Sequence, residues 1–124
     1  MLREIKNKYS HYFMDELGRI QGEYKAWHDN GVLLQWGYCV DGKLHGEYMS
    51  WHDNVVLCNH GHCADGKLHG EYKSWYDNGG LRGHQYYVND ELVHDFLESP
   101  LTDIEKMLLV LKYGGLLLPR GEVC

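Results

Sequence analysis

The chain has 124 residues, which is the length of one ordinary domain. Apolar residues make up 44% and charged residues 24%, a composition typical of a folded chain and not of a disordered or membrane-spanning one. The net charge is −6, and the 12 basic residues are scattered among 18 acidic ones. This pattern argues against nucleic acid as a partner, and it makes a membrane or phospholipid partner unfavourable.

Residues 1–21 precede a repeated pattern that begins at residue 22. Their first residues lack the apolar run of a signal peptide, so we expect a cytoplasmic protein. Residues 9–21 resemble the second half of the repeat unit with one extra residue. We therefore predict that residues 1–21 form a partial repeat that caps the amino-terminal end of the array.

The dominant feature is a period of 24 residues that occurs three times without insertion or deletion. The units are residues 22–45, 46–69 and 70–93. The columns identical in all three units are Gly22/Gly46/Gly70, Glu23/Glu47/Glu71, Tyr24/Tyr48/Tyr72, Trp27/Trp51/Trp75, Asp29/Asp53/Asp77, Asn30/Asn54/Asn78, Leu33/Leu57/Leu81 and Leu44/Leu68/Leu92. Equal units of this kind predict an array in which each unit packs against its neighbours.

Each unit carries two turn signals that separate short runs rich in Tyr, Trp and Val. In the first unit they are Asp-Asn-Gly at residues 29–31 and Asp-Gly-Lys at residues 41–43. They place two antiparallel strands at roughly 23–28 and 33–40. The predicted fold is therefore all-β, an open single-sheet meander of tandem 24-residue β-hairpin repeats.

Two turns depart from the repeat pattern. Val55 stands where the other units have Gly31 and Gly79, and Asn89-Asp90 replaces Asp-Gly in the third unit. Tight turns of this type favour residues that tolerate positive φ. We expect both turns to be less favourable than their counterparts.

The repeat pattern ends after residue 93. Residues 94–96 match the start of a fourth unit, so repeats and truncated fourth unit together span residues 22–96. Ser99 and Pro100 then interrupt the pattern, and proline cannot donate to a strand ladder. We predict that the sheet stops there.

Residues 97–124 are predicted to form a capping α-helix and an apolar tail. Either Ser99-Pro100 or Thr102-Asp103-Ile104-Glu105 provides an N-cap signature, and Gly114-Gly115 ends the run. Apolar residues recur at helical spacing at Ile104, Met107, Leu108 and Leu111. We expect this amphipathic helix to cover the last repeat, with a partner-binding motif as the alternative.

The tail begins with Leu116, Leu117 and Leu118, which are too apolar for an ordinary solvated terminus. Two arrangements would bury them: folding back on the helix, or contact with a second copy around a two-fold axis. We predict a homodimer through this carboxy-terminal end, and the fold-back remains open.

The aromatic columns are the candidate binding face. Trp27, Trp51 and Trp75 are expected two strands apart, about 9.5 Å, so side chains from the intervening strand must lie between them. The aromatic residues could form the core of the sheet or line a groove that receives a partner protein. The candidate binding residues are Tyr24, Trp27, Trp36, Tyr38, Tyr48, Trp51, Tyr72, Trp75 and Tyr86.

The second unit is rich in cysteine and histidine. Strand alternation predicts that Cys58, His60 and His62 share one face, an arrangement that could hold a zinc ion. A structural zinc site needs a fourth ligand, and His84 would have to reach across two strands. We therefore expect no cofactor, with zinc bound at these three residues as the alternative.

Sequence motifs of catalysis are not evident. The chain has no glycine-rich phosphate loop before a helix and no nucleophile elbow, and its acidic residues recur as repeat columns. An open meander also lacks the enclosed pocket that oxyanion stabilisation requires. We predict that the protein is not an enzyme.

The repeat resembles the MORN-repeat family, in particular its shorter variant. The resemblance is carried by Gly46-Glu47-Tyr48, by Trp51-His52-Asp53-Asn54 and by residues 65–70 (Asp-Gly-Lys-Leu-His-Gly), and it covers residues 9–96. Such variants are known in antitoxin-type bacterial proteins and in giant DNA viruses. The resemblance implies a non-enzymatic scaffold for protein–protein interaction with an aromatic-lined groove, often dimeric.

The resemblance leaves the partner open. It allows an antitoxin-like inhibitor of a partner protein and, for a viral protein, a location in the host cytoplasm or the virion. Some MORN proteins are said to bind phospholipid, which would require basic residues. Residues 22–93 carry five basic and ten acidic side chains, so we do not extend that function to this chain.

Overall fold

The computed structural model describes residues 1–113, and these form one antiparallel sheet followed by a helix. The strands are β1 (Arg3–Lys6), β2 (Ser10–Met14), β3 (Gly22–Trp27), β4 (Leu33–Val40), β5 (Lys43–Leu44), β6 (Gly46–Trp51), β7 (Leu57–Ala64), β8 (Lys67–Leu68), β9 (Gly70–Trp75), β10 (Leu81–Val88) and β11 (Glu91–Asp95), and helix α1 spans Asp103–Lys112. Within this part of the chain, no helix is long and apolar enough to cross a membrane.

The sheet follows chain order, with β5 and β8 pairing only with the ends of β4 and β7. The long strands recur every 24 residues, since β3, β6 and β9 begin at Gly22, Gly46 and Gly70. The predicted open meander of β-hairpins with a carboxy-terminal helix is confirmed. The sequence reading missed the charged strand β1 and the two-residue strands β5 and β8.

The hairpin turns explain the repeated Asp-Gly pairs. Asp41 and Gly42 both adopt positive φ, 53° and 81°, as a two-residue type I′ turn requires. In the third unit Asn89 and Asp90 take φ of 50° and 70° without a glycine. Val55 adopts φ of 76°, a region that β-branched residues rarely occupy. The expectation of less favourable turns at Val55 and Asp90 agrees with these angles.

Each long hairpin contains a bulge near its turn. Ala26 pairs with Gln35 and Trp27 with Leu33, so Leu34 is the extra residue on β4. The same shift recurs in the next two units, where Cys58 and Arg82 are the extra residues. A bulge residue does not follow the alternation of its strand, which affects the candidate metal ligands below.

The core of this single-layer sheet is thin and consists of small residues in the middle of the strands. Ala26, Ser50 and Ser74 occupy one buried column, and Cys39 and Cys63 occupy another. The larger buried side chains, Tyr86 and Phe96, lie at the carboxy-terminal end.

Helix α1 begins with the predicted capping box. Thr102 accepts a hydrogen bond from the Glu105 backbone, and the Glu105 carboxylate accepts one from the Thr102 backbone. This hydrogen bonding also lowers the pKa of Glu105.

The helix does not pack as its apolar spacing predicts. The predicted stripe stays largely exposed, at 70%, 63%, 59% and 64% for Ile104, Met107, Leu108 and Leu111. The half-buried helix residues are instead Lys106, Leu109 and Val110. The predicted tail residues Leu116, Leu117 and Leu118, and the dimer proposed through them, lie outside the described residues.

Candidate binding faces

The strand register divides the side chains between two faces. The first, called the tyrosine face, carries Tyr12, Tyr24, Gly37, Cys39, Tyr48, Gly61, Cys63, Tyr72 and Gln85. The second, called the histidine face, carries Glu23, Lys25, Trp36, Tyr38, Glu47, Met49, His60, His62, Glu71, Lys73, His84 and Tyr86.

The nine predicted binding residues are therefore split between opposite surfaces. Tyr24, Tyr48 and Tyr72 lie on the tyrosine face, whereas Trp36, Tyr38 and Tyr86 lie on the histidine face. Alternation along β3, β6 and β9 places the half-buried Trp27, Trp51 and Trp75 on the histidine side. The nine residues therefore do not share one surface, and their role in binding a partner stays a prediction.

Tyrosine rings on the tyrosine face pack over glycines of the neighbouring strand. A Cβ added to Gly61 would lie 2.6 Å from Tyr72 Cδ1, and one added to Gly37 would lie 3.7 Å from Tyr48 Cδ2. The Tyr72 hydroxyl donates to Asn59 Oδ1 at 2.7 Å, and burial raises the pKa of Tyr72. These contacts make the tyrosine face the core of the sheet.

The repeated glutamate column anchors the histidine face. Trp36 Nε1 donates to Glu23 Oε2 at 2.8 Å, and His60 Nε2 lies 2.7 Å from Glu47 Oε2. His84 Nε2 makes the equivalent contact with Glu71. Each unit thus pairs its glutamate with the side chain thirteen residues later.

The glutamate pairing also involves one of the candidate metal ligands, His60. His60 Nε2 is directed at Glu47, and the ring centroids of His60 and His62 lie 5.8 Å apart. Cys58 is the bulge residue of β7, so its side chain does not follow the alternation that the prediction assumed. Within residues 1–113, no group of three His, Cys, Asp or Glu side chains could hold a metal ion. The set of Cys58, His60 and His62 is not such a group in this structure, and zinc binding there stays a prediction.

Polar residues of the first turn link consecutive units, which the sequence reading missed. His28 Nε2 lies 2.7 Å from the Trp51 carbonyl oxygen, and Asn30 Nδ2 donates to the Asp53 carbonyl at 2.7 Å. The second unit repeats both contacts onto the third, through His52 and Asn54. The signal was present in the sequence, because histidine occupies this column only in the two units that have a following turn. The third unit has Tyr76 there.

The chain's own helix lies on the histidine face at its carboxy-terminal end. The rings of Tyr113 and Tyr86 have centroids 6.2 Å apart, and Lys106 Nζ lies 5.4 Å from the centroid of the Phe96 ring. Tyr86 is only 3% exposed, and this burial, with the Glu71 charge, raises its pKa to about 12. Over β10 and β11 the histidine face is therefore covered.

Over the first two units the histidine face is open. Strand β4 alternates to place Trp36, Tyr38 and Val40 there in one row, and Tyr38 and Val40 are 48% and 41% exposed. Met49 lies opposite Trp36 on β6. Aromatic and aliphatic side chains at this exposure form an apolar strip bordered by the carboxylates of Glu23 and Glu47.

These features define a class of protein: a tandem β-hairpin repeat protein built on a single sheet with two chemically different faces. A family profile described as "MORN repeat variant" matches residues 20–35 and 68–89. These two matched stretches support the resemblance to the MORN-repeat family that the sequence predicted. A search of curated proteins found no match to this chain.

Proposed function

We propose that the protein is a non-enzymatic scaffold that binds a partner protein on the open part of its histidine face. The observation that carries the proposal is the apolar row of half-buried Trp36 and exposed Tyr38 and Val40, on the same face that helix α1 covers further along. Exposed apolar patches with a polar border are typical of protein-binding surfaces.

Helix α1 supports this proposal because it packs on the histidine face and shows which kinds of side chain can bind there. Its C-cap residue Tyr113 places an aromatic ring next to Tyr86, and its Lys106 lies over the ring of Phe96. The uncovered part offers the same chemistry, with Tyr38 as an aromatic platform and Glu23 and Glu47 as acidic groups beside it. A partner segment with apolar and basic side chains fits this surface, and the net charge of −6 favours its approach.

The chemistry of the face supports binding more than catalysis. The His60 and His84 side chains are held by glutamates; His60 lies on the half-exposed part of the sheet surface, and His84 is buried against the ring of Phe96. General acid–base catalysis would require such a group to reach a substrate in a water-poor site. We therefore infer a recognition role for these side chains.

The test is affinity purification from the native host with the full chain as bait. The double variant Tyr38→Lys/Val40→Lys changes the apolar row, and Tyr76→Lys is the matched control, since Tyr76 is 52% exposed and lies in a turn. We expect proteins captured by the parent chain to be lost with the double variant and retained with the control. Capture of the same proteins by all three chains would contradict the proposal.

A further inference from the structure

The amino-terminal edge of the sheet ends in β1, a short strand whose outer side pairs with no other strand among residues 1–113. β1 pairs with β2 on one side and is the outermost strand of the described sheet. Its four residues, Arg3–Lys6, alternate in charge around Ile5, and Ile5 is the one half-buried residue among them. An outer strand presents backbone N–H and C=O groups that another strand can pair with.

The hydrogen bonds of the hairpin show which residues face that edge. The Asn7 amide donates to the Ser10 carbonyl at 2.9 Å, so the backbone groups of Asn7 point toward β2. Backbone direction alternates along a strand. The N–H and C=O groups of Glu4 and Lys6 therefore point outward.

A hydrogen bond on the other side of β2 independently shows that the Glu4 backbone groups point outward. Phe13 lies opposite Glu4, and the Phe13 carbonyl accepts a hydrogen bond from the Gln21 amide at 2.9 Å, on the side away from β1. Glu4 and Phe13 are thus a pair without mutual hydrogen bonds, which leaves the backbone groups of Glu4 for the open edge.

We propose that β1 pairs antiparallel with β1 of a second copy of this chain, around a two-fold axis at Ile5. Three two-fold registers satisfy the outward backbone groups: Glu4 opposite Glu4, Lys6 opposite Lys6, or Glu4 opposite Lys6. The first two place like charges directly opposite each other, which is destabilising. The third makes four backbone hydrogen bonds and two Glu4–Lys6 pairs.

The same register brings the two Ile5 side chains together on the tyrosine face. Ile5 lies opposite Tyr12, whose ring centroid is 5.6 Å from that of Tyr24. Residues at a pair without mutual hydrogen bonds have Cα atoms about 4.5 Å apart, so the isoleucines would be in contact. In this register Glu4 faces Lys6 and Ile5 faces Ile5, so the edge is complementary to itself. For this reason we propose a second copy as its occupant.

The paired sheet would run continuously through both copies, with the two histidine faces on the same side. That consequence for partner binding rests on the proposed function, whereas the pairing itself rests on the strand edge alone. Because four residues a side form a small interface, the association is expected to be weak and to depend on concentration.

The experiment uses charge exchange in the full chain, followed by sedimentation equilibrium. Glu4→Lys and Lys6→Glu each turn both attractive pairs into repulsive ones, so each variant alone is expected to self-associate about tenfold more weakly than the parent. In an equimolar mixture, the lysines at positions 4 and 6 of one variant face the glutamates at positions 6 and 4 of the other, which restores both attractive pairs. We expect this mixture to form a heterodimer at least as strong as the parent dimer. Lys8→Glu, in the turn after β1, is the matched control and should behave as the parent.

Circular dichroism establishes that each variant keeps its sheet, and the recovery in the mixture distinguishes a lost contact from a misfolded chain. A parent chain that stays monomeric up to about 1 mM would overturn the proposal. So would single variants that associate as strongly as the parent, which is the result expected if a dimer forms through the carboxy-terminal end instead.

Discussion

Val55 provides a direct test of how the repeat turns constrain the chain. Val55 adopts φ of 76° in a turn where Gly31 and Gly79 adopt 87°. The turns are otherwise alike, since the Val55 and Gly31 amides both donate to the carbonyl three residues earlier at 3.0 Å. We predict that Val55→Gly stabilises the protein and that Gly31→Val destabilises it.

The magnitude follows from two opposing terms. A residue with a Cβ in the left-handed region costs about 1–2 kcal/mol, and glycine loses about 0.5–1 kcal/mol of chain entropy on folding. The Val55 side chain is 66% exposed, so little burial is lost, and a Cβ at Gly31 would meet nothing within 4 Å. We expect Val55→Gly to raise the free energy of unfolding by about 0.5–1 kcal/mol, which is about 2–4 °C in Tm.

Urea unfolding followed by tryptophan fluorescence measures both changes. The exchange variant Gly31→Val/Val55→Gly should return close to the parent's stability. It still has one valine and one glycine in the two equivalent turns, with their positions swapped. The m-value should stay constant, so that a changed midpoint reports stability alone. If both single variants shift the midpoint in the same direction, backbone strain at Val55 is not the cause.

Three further predictions test the packing and the amino-terminal loop. Gly61→Ala should destabilise by about 1–3 kcal/mol, because its Cβ would lie 2.6 Å from the Tyr72 ring, and urea unfolding should show no such cost in a Tyr72→Ala background. Tyr86→Phe should leave the urea midpoint unchanged or raise it by up to about 1 kcal/mol, since the buried Tyr86 hydroxyl has no hydrogen-bond partner among residues 1–113. A loss of stability would reveal a partner for that hydroxyl. The Gln21 side chain, followed by the Arg19 backbone, lowers the pKa of Asp15, so Asp15 stabilises the fold above its unfolded pKa of about 4 and loses this effect as the pH falls. Thermal unfolding should therefore show Asp15→Asn less stable than the parent at pH 7, with the difference shrinking below pH 4, and a constant difference would contradict the assignment.

The repeated hairpins were predictable because two signals coincide in each unit. Turn residues recur at fixed positions, and the runs between them favour strands, so the predicted strand at 33–40 agrees with β4 (Leu33–Val40). Strand β1 was not predictable in the same way. It is four residues long, three of them charged, and no copy elsewhere in the chain reinforces it.

Alternation along β3, β6 and β9 separates the repeated tyrosines from the repeated tryptophans, but the face shared with β4, β7 and β10 was beyond the sequence because a bulge in each of these strands shifts the register by one residue. Periodicity assigns residues to faces only along an uninterrupted strand, and each long hairpin contains an extra residue at Leu34, Cys58 or Arg82. The helix shows a related limit. Its apolar spacing predicted helix formation, but the side that packs is set by contacts outside the stripe, from Tyr113 to Tyr86 and from Lys106 to Phe96.

The same periodic sequence therefore carries two kinds of information. Columns that are identical in all units, such as the glutamate at Glu47 and the tyrosine at Tyr48, hold a strand to its neighbour and cannot distinguish one unit from another. Columns that vary carry the difference between units, as at the position occupied by Trp36, His60 and His84, where the glutamate contact is kept while the side chain changes. Because the tyrosine face is used for packing, selectivity for a partner is expected to depend on the columns that vary on the histidine face. Exchanging Trp36 for histidine should therefore alter which proteins are captured while leaving the urea midpoint within about 1 kcal/mol of the parent, and a large loss of stability would place Trp36 in the core instead.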